Sequence, residues 1–155
     1  MSSERQLFDS YRDKLRGLAV SYVWRGYGTA LFIEFGQLSP GKAVRDGQAG
    51  NPLGQFGIMM QWSWRIEDSN KIICGSWSEE ELWEPSFKRL LGEKVVDAAY
   101  VGRLPEIIVN FTNGLHVLSF MTSEGQPEWA IFDRTRSTGK TSWIRVKDGL
   151  IREEE

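Results

Sequence analysis

The sequence predicts an α+β domain, with antiparallel sheet of about eight to nine strands accompanied by two helical segments. Three observations predict it. Apolar and polar residues trade places every second position over most of the chain, the period of a half-buried strand. Two stretches near 3–16 and 78–91 carry helix-start and helix-stop signals instead. Short turn sequences rich in glycine and asparagine separate the alternating stretches.

The first helix comes from Leu7, Phe8, Tyr11, Leu15 and Leu18, which recur at three- and four-residue spacing and draw one apolar stripe. Ser3 with Gln6 reads as a capping box, and Gly17 as the glycine that ends the helix. A hairpin follows, with strands at 19–24 and 29–35 around Gly26-Tyr27-Gly28. Residues 36–55 then hold five glycines and two prolines and few apolar anchors. A loop of that length in a small domain is usually functional.

The clearest strand is 56–66. Phe56, Ile58, Met60, Trp62, Trp64 and Ile66 share one face, which places Trp62 and Trp64 in the core. The turn Glu67-Asp68-Ser69-Asn70 leads back into a strand at 71–76. Ser78 with Glu81 reads as a second capping box, Gly92 as a second helix stop, and Pro85 divides the helical region into two short pieces. Strands resume at 95–101, 106–111, 115–121, 128–133 and 141–147, with Asn113-Gly114 as a hairpin turn. Residues 150–155 read as a frayed acidic tail.

The chain has 155 residues, 41% hydrophobic and 26% charged, which suits one soluble domain spanning 1–155. A net charge of −2 gives no global attraction to nucleic acid or anionic membrane. No signal sequence opens the chain, no apolar run is long enough to span a bilayer, and the single Cys74 suits a reducing cytoplasm. One cysteine and one histidine exclude Cys-cluster and His-pair metal sites within one chain, and no cofactor motif is present.

The halves 3–77 and 78–150 look like an internal duplication. Leu15-x-Gly17-x-x-Val20 answers Leu90-x-Gly92-x-x-Val95 at an offset of 75. Ile33-x-Phe35 answers Val109-x-Phe111, and Trp64-x-Ile66-x-Asp68 answers Trp129-x-Ile131-x-Asp133. The loop at 36–55 replaces the second half's hairpin strand and breaks the correspondence there.

Catalytic constellations are hard to assemble. A Ser-His or Cys-His pair must use His116, which alternates out of phase with its apolar neighbours and reads as a strand histidine. Cys74 reads as a buried thiol. Glu34 and Asp97 each interrupt an apolar strand and could serve as acid–base carboxylates, or simply face solvent. Gly139-Lys140-Thr141 lacks the upstream glycine and following helix of a phosphate-binding loop. Arg134, Arg136, Lys140, Arg145, Lys147 and Arg152 form a basic stretch that reads as a protected edge strand, with no nucleic-acid motif beside it.

Seven tryptophans are many for this length. Trp77 and Trp83 flank the acidic turn at 79–84 and, with the loop around Arg45 and Asp46, form the predicted recognition surface. Glu34 and Arg65 complete the candidate binding set.

The order of the leucine-glycine stop, Phe111-Thr112-Asn113-Gly114 and the Trp129-x-Ile131 strand resembles small bacterial proteins built from duplicated sheet units. Some loosely similar α+β domains are immunity proteins, which neutralise a cognate toxin by binding it. That resemblance implies a non-catalytic protein and no particular site residue. The expectation is a cytoplasmic protein-interaction module, binding a protein partner or a second copy of itself. The rival is a small-ligand protein or enzyme using Glu34 or Asp97 with Arg65 in a pocket between the halves.

Overall fold

Ser3 starts the first helix as the spacing predicts. Its Oγ accepts from the Gln6 N–H, and the Gln6 side chain accepts from the Ser3 N–H, both at 3.0 Å. Helix α1 runs Glu4–Leu15 and buries Phe8, Tyr11 and Leu15. The computed structural model describes residues 3–41 and 50–155; Arg45 and Asp46 lie outside the described residues.

Eleven strands follow, two more than the alternation suggests, in two antiparallel sheets. They are β1 (Val20–Arg25), β2 (Leu31–Phe35), β3 (Phe56–Met60), β4 (Trp64–Glu67) and β5 (Ile72–Gly75), then β6 (Val95–Val101), β7 (Glu106–Phe111), β8 (His116–Ser119), β9 (Trp129–Asp133), β10 (Ser142–Lys147) and β11 (Leu150–Glu154). The six-stranded sheet has the order β1-β2-β3-β9-β10-β11, and the five-stranded sheet β5-β4-β8-β7-β6.

Both extra strands have local causes. The stretch at 56–66 is two strands, because the chain leaves one sheet after Met60 and enters the other at Trp64. Between them the Ser63 N–H donates to the Gln61 carbonyl at 2.9 Å around Trp62, whose φ is +69°. That is a γ-turn in its strained, positive-φ form. The acidic tail is a strand because Asp148 and Gly149, at φ +54° and +78°, make a two-residue turn that pairs Lys147 with Leu150. Ile151 is thereby buried.

The second helical region is shorter than its signals imply. A single 3-10 turn, Glu80–Leu82, runs into helix α2, Trp83–Lys88. Pro85 falls in its first turn, where a missing N–H costs least. The second capping box does not form: the Ser78 Oγ accepts from the Gly75 N–H at 2.9 Å. The neck of the long loop is ordered by paired Ser39 and Leu53, whose N–H groups donate to each other's carbonyls at 2.8 and 3.0 Å.

The sheets meet at their β1 and β6 edges through an Ala19–Lys94 bridge. Gly17 N–H donates to Val95 and Gly92 N–H to Val20, at 2.9 and 2.8 Å. Val20 N–H donates to Glu93 and Val95 N–H to Leu18, at 2.8 and 3.0 Å. Phe35 and Phe111 stack nearby, 6.4 Å apart and 6° from parallel. Strand pairs cross over: β4 and β5 lie beside β8, whereas β9 and β10 lie beside β3. Each helix touches an edge strand of both sheets, α1 at β6 and β11, α2 at β1 and β5, which covers the sheet margins. One apolar core takes side chains from both sheets and both helices.

A buried charge ties α1 to the six-stranded sheet. Asp133 has a fully buried side chain that accepts from Lys14 Nζ at 3.1 Å, Arg136 Nε at 3.0 Å, and the Thr135 N–H and O–H at 2.9 and 2.6 Å. Burial pulls its pKa upward, but those hydrogen bonds outweigh it and hold the carboxyl at about 2. Beside it the Tyr11 hydroxyl donates to Glu153 at 2.6 Å, and burial with that bond raises the phenol's pKa. The folded pKa of Asp133 lies below its ordinary 3.8, so this stabilisation is complete above pH 3.8 and is lost as pH falls through 2. Urea denaturation at mildly acid pH and near pH 2 should show the wild type losing about 2 kcal/mol more than Asp133→Asn over that interval. Parallel pH profiles would refute the assignment.

Candidate functional site

Strand register gathers several turns at one end of the two sheets. Arg25, Leu31, Met60 and Trp129 lie in one cross-strand row of the six-stranded sheet. Trp64 pairs with Ser119 at the corresponding end of the other sheet, and Arg65 with Gly75. The β1–β2 turn, the crossing at 61–63 and the exit from β5 therefore lie together. The Trp64 indole N–H donates to the Thr29 carbonyl at 2.5 Å, while the Thr29 hydroxyl donates to the Trp62 carbonyl at 2.8 Å.

Three aromatic side chains stand out of this end. Tyr27 is 97% exposed, Trp77 76% and Trp62 52%. Tyr27 sits at the hairpin tip, next to Gly28 at φ +65°. Trp62 is displayed by the γ-turn, and Trp77 follows Ser76, whose N–H and Oγ both bond the Trp64 backbone. They are the three exposed aromatic side chains among the described residues.

Arg25 connects this end to the helical turn. Its Nε donates to the Gly28 carbonyl at 2.9 Å, its Nη1 lies 2.9 Å from Glu80 Oε1, and its guanidinium stands 4.5 Å above the Trp83 ring. Trp83 itself is buried, packed edge-on against Trp64 at 5.1 Å, so it supports the surface and does not form it. A cavity of about 340 Å³ opens beside Arg25, lined by Tyr22, Trp24, Glu80, Trp83 and Glu84.

The remaining sequence-predicted residues do not converge. Glu34 is buried on the outward face of the six-stranded sheet. It accepts from the Trp24 indole at 2.9 Å, the Gly54 N–H at 3.0 Å and Arg134 Nη1 at 2.9 Å, and Arg134 also donates to the Gly54 carbonyl. Its bonds to Gly54 and Arg134 fasten the neck of the long loop. Asp97 lies on edge strand β6 in an ion pair with Arg16 at 2.9 Å. Burial acts to raise the Asp97 pKa, but hydrogen bonds from Arg16 and the Ala98 N–H lower it overall. Arg65 lies on the outer face of the five-stranded sheet, bound to Glu67 at 2.9 Å and over Phe120. Of the candidate set, Arg65 and Trp77 share one shallow cleft, with Ile72 and Phe120.

His116 and Cys74 do not pair with each other. The His116 ring faces the Asn110 amide oxygen at 2.6 Å, and Cys74 is buried with its thiol toward the Gly75 carbonyl. Sequence reasoning passed over Tyr27 although its signal was present: a tyrosine between two turn glycines cannot reach a core. It passed over Trp62 because alternation runs unbroken through the crossing.

The strained display of Trp62 makes a sharp comparison. A positive φ costs an ordinary side chain about 1–2 kcal/mol, which glycine avoids. Trp62→Gly should leave stability within about 1 kcal/mol of wild type, whereas Trp64→Ala should lose about 3–5 kcal/mol by urea denaturation. Equal losses would place Trp62 in the core. The chain matches no protein-family model, and no curated protein or solved structure is significantly similar to it.

Proposed function

We propose that this protein is a non-catalytic protein-interaction module whose recognition surface is the end that displays Tyr27, Trp62 and Trp77. The observation that carries this reading is the exposure of three large rings on turns anchored to the core, one of them at a backbone conformation that a tryptophan pays to adopt. Rigid aromatic side chains lose little entropy on binding and dominate interface energies. The resemblance to immunity proteins supplies a mode of action, in which binding covers the working surface of a cognate partner. Among the described residues no helix is long and apolar enough to cross a membrane. The buried, unpaired Cys74 suits a cytoplasmic setting.

The double variant Tyr27→Ala/Trp77→Ala tests this surface against Leu38→Ser/Val96→Ser, which alters exposed apolar residues away from it. In quantitative capture from native lysate, a partner should be retained by wild type and the control and weakened about tenfold or more by the aromatic variant. Equal retention by all three would eliminate this end as the interface.

We also infer that the halves 3–77 and 78–150 are copies of one unit that exchange strand pairs. The paired hydrogen bonds around Ala19 and Lys94 support this, as do the Trp64 and Trp129 indoles, which donate to the Thr29 and Pro105 carbonyls in matching β-turns. Gly17 and Gly92 hold φ near +80° in open space. Gly17→Ala and Gly92→Ala should each cost about 1–2 kcal/mol and agree closely; a cost at one position only would break the equivalence.

A further inference from the structure

The basic stretch of the sequence does not fall where its edge-strand reading expects. Arg145 and Lys147 lie on β10, which runs between β9 and β11, so they guard no edge. Cross-strand pairing sets Ala130, Arg145 and Arg152 in one row, on the side of the six-stranded sheet opposite the buried Ile131, Ile144 and Ile151. Arg145 therefore stands directly against Arg152 on the outer face, and like charges so placed cost stability. Lys147 follows two positions along the same face. Arg145 Nη1 is 3.7 Å from Glu154 Oε2, whereas Lys147 and Arg152 form no ion pair among the described residues.

Beside these cations a cavity of about 340 Å³ opens over Ala130. The small side chain leaves a hole because its neighbours on that face are large. Met59 on β3 and Arg145 on β10 flank it, and Phe132 follows it along β9. Trp143 pairs with Phe132, their rings 6.3 Å apart, and completes the wall. Arg134 runs from the Phe132 ring to Glu34 and is committed there. The far end is polar: the Gln61 N–H donates to the Glu128 carbonyl at 2.8 Å, and both residues line the cavity.

We propose that this cavity binds a nucleotide, with the base over Ala130 and the phosphate on Arg145 and Arg152. A flat ring bordered by Met59, Phe132 and Trp143 gains dispersion and leaves water. A carboxylate and an amide at the far end suit a ring whose edge carries N–H groups, which a plain hydrocarbon lacks. Two arginines side by side suit a phosphate, which accepts from both and relieves their repulsion. The volume is that of a small-ligand site. None of Tyr27, Trp62 and Trp77 takes part, so the site stands or falls independently of the interaction reading.

Adenosine 5′-monophosphate, titrated into the isotope-labelled full chain at low salt, tests this beside a deoxyadenosine oligomer, plain adenosine and an octaglutamate peptide. The monophosphate should move the Trp143 indole signal saturably. Binding should weaken about tenfold in Arg145→Gln/Arg152→Gln, and about tenfold for adenosine. Lys88→Gln/Arg89→Gln removes the same charge from exposed positions at the end of α2 and should leave binding unchanged. Tighter binding of the oligomer than of the monophosphate assigns the site to a nucleic-acid strand, and equal binding to a free nucleotide. The proposal is overturned by no saturable shift at Trp143, by equal weakening in both glutamine variants, or by an equal shift with octaglutamate. A lower urea midpoint in Arg145→Gln/Arg152→Gln would also overturn it, because the opposed arginines would then serve the fold.

Discussion

Two indoles hold the points at which the chain changes sheets. Trp64 opens β4 immediately after the crossing from β3, and Trp129 opens β9 where the chain returns. Both are fully buried, and each N–H is committed to the carbonyl of a hairpin turn in the sheet that the chain has left, Thr29 and Pro105. A ring of that size fills the space between layers, and its one polar atom has to find a partner there. The same bond therefore packs the core and fixes the hairpin against the crossing. Around Trp64 the consequence is strained backbone at Trp62, because three residues must carry the chain between layers while its neighbours keep their hydrogen bonds.

Two buried carboxylates do comparable work at the other end of the six-stranded sheet. Glu34 and Asp133 are fully buried, and each takes a donor from a distant part of the chain, Arg134 and Lys14. At Asp133 the hydrogen bonds outweigh the cost of burial. Both carboxylates are demanding about geometry. Glu34 draws Gly54 against Phe35 so closely that a Cβ at 54 would stand 2.3 Å from the Phe35 carbonyl oxygen. The loop neck is thus set by a charge, its glycine and Arg134, while Asp133 sets α1 against the sheet through Lys14.

The two buried carboxylates are committed to architecture and the His116 ring faces an amide; the proposed contact surface is the turn end. It displays three aromatic rings, Tyr27, Trp62 and Trp77. On the proposed reading the rings meet a macromolecule, because they stand apart on separate turns and not around one deep pocket.

Much of this was legible in the chain alone. Alternation and turn chemistry specify the α+β class, the first helix with its cap, most strands and the fully buried Trp64 and Trp129, since each depends on neighbours within a few residues. Asp148-Gly149 carried the eleventh strand in equally local form. Other features belong to tertiary structure. Period-two patterning says which side of a strand is apolar but not which sheet it joins, so 56–66 reads as one strand and Trp62 as core until the crossing turns it outward. Trp83 and Glu34, equally plausible as surface residues, are buried because partners 19 and 100 positions away, Trp64 and Arg134, close over them. Local sequence sets the backbone's preferences, whereas burial and charge pairing are decided by whichever distant segment arrives alongside.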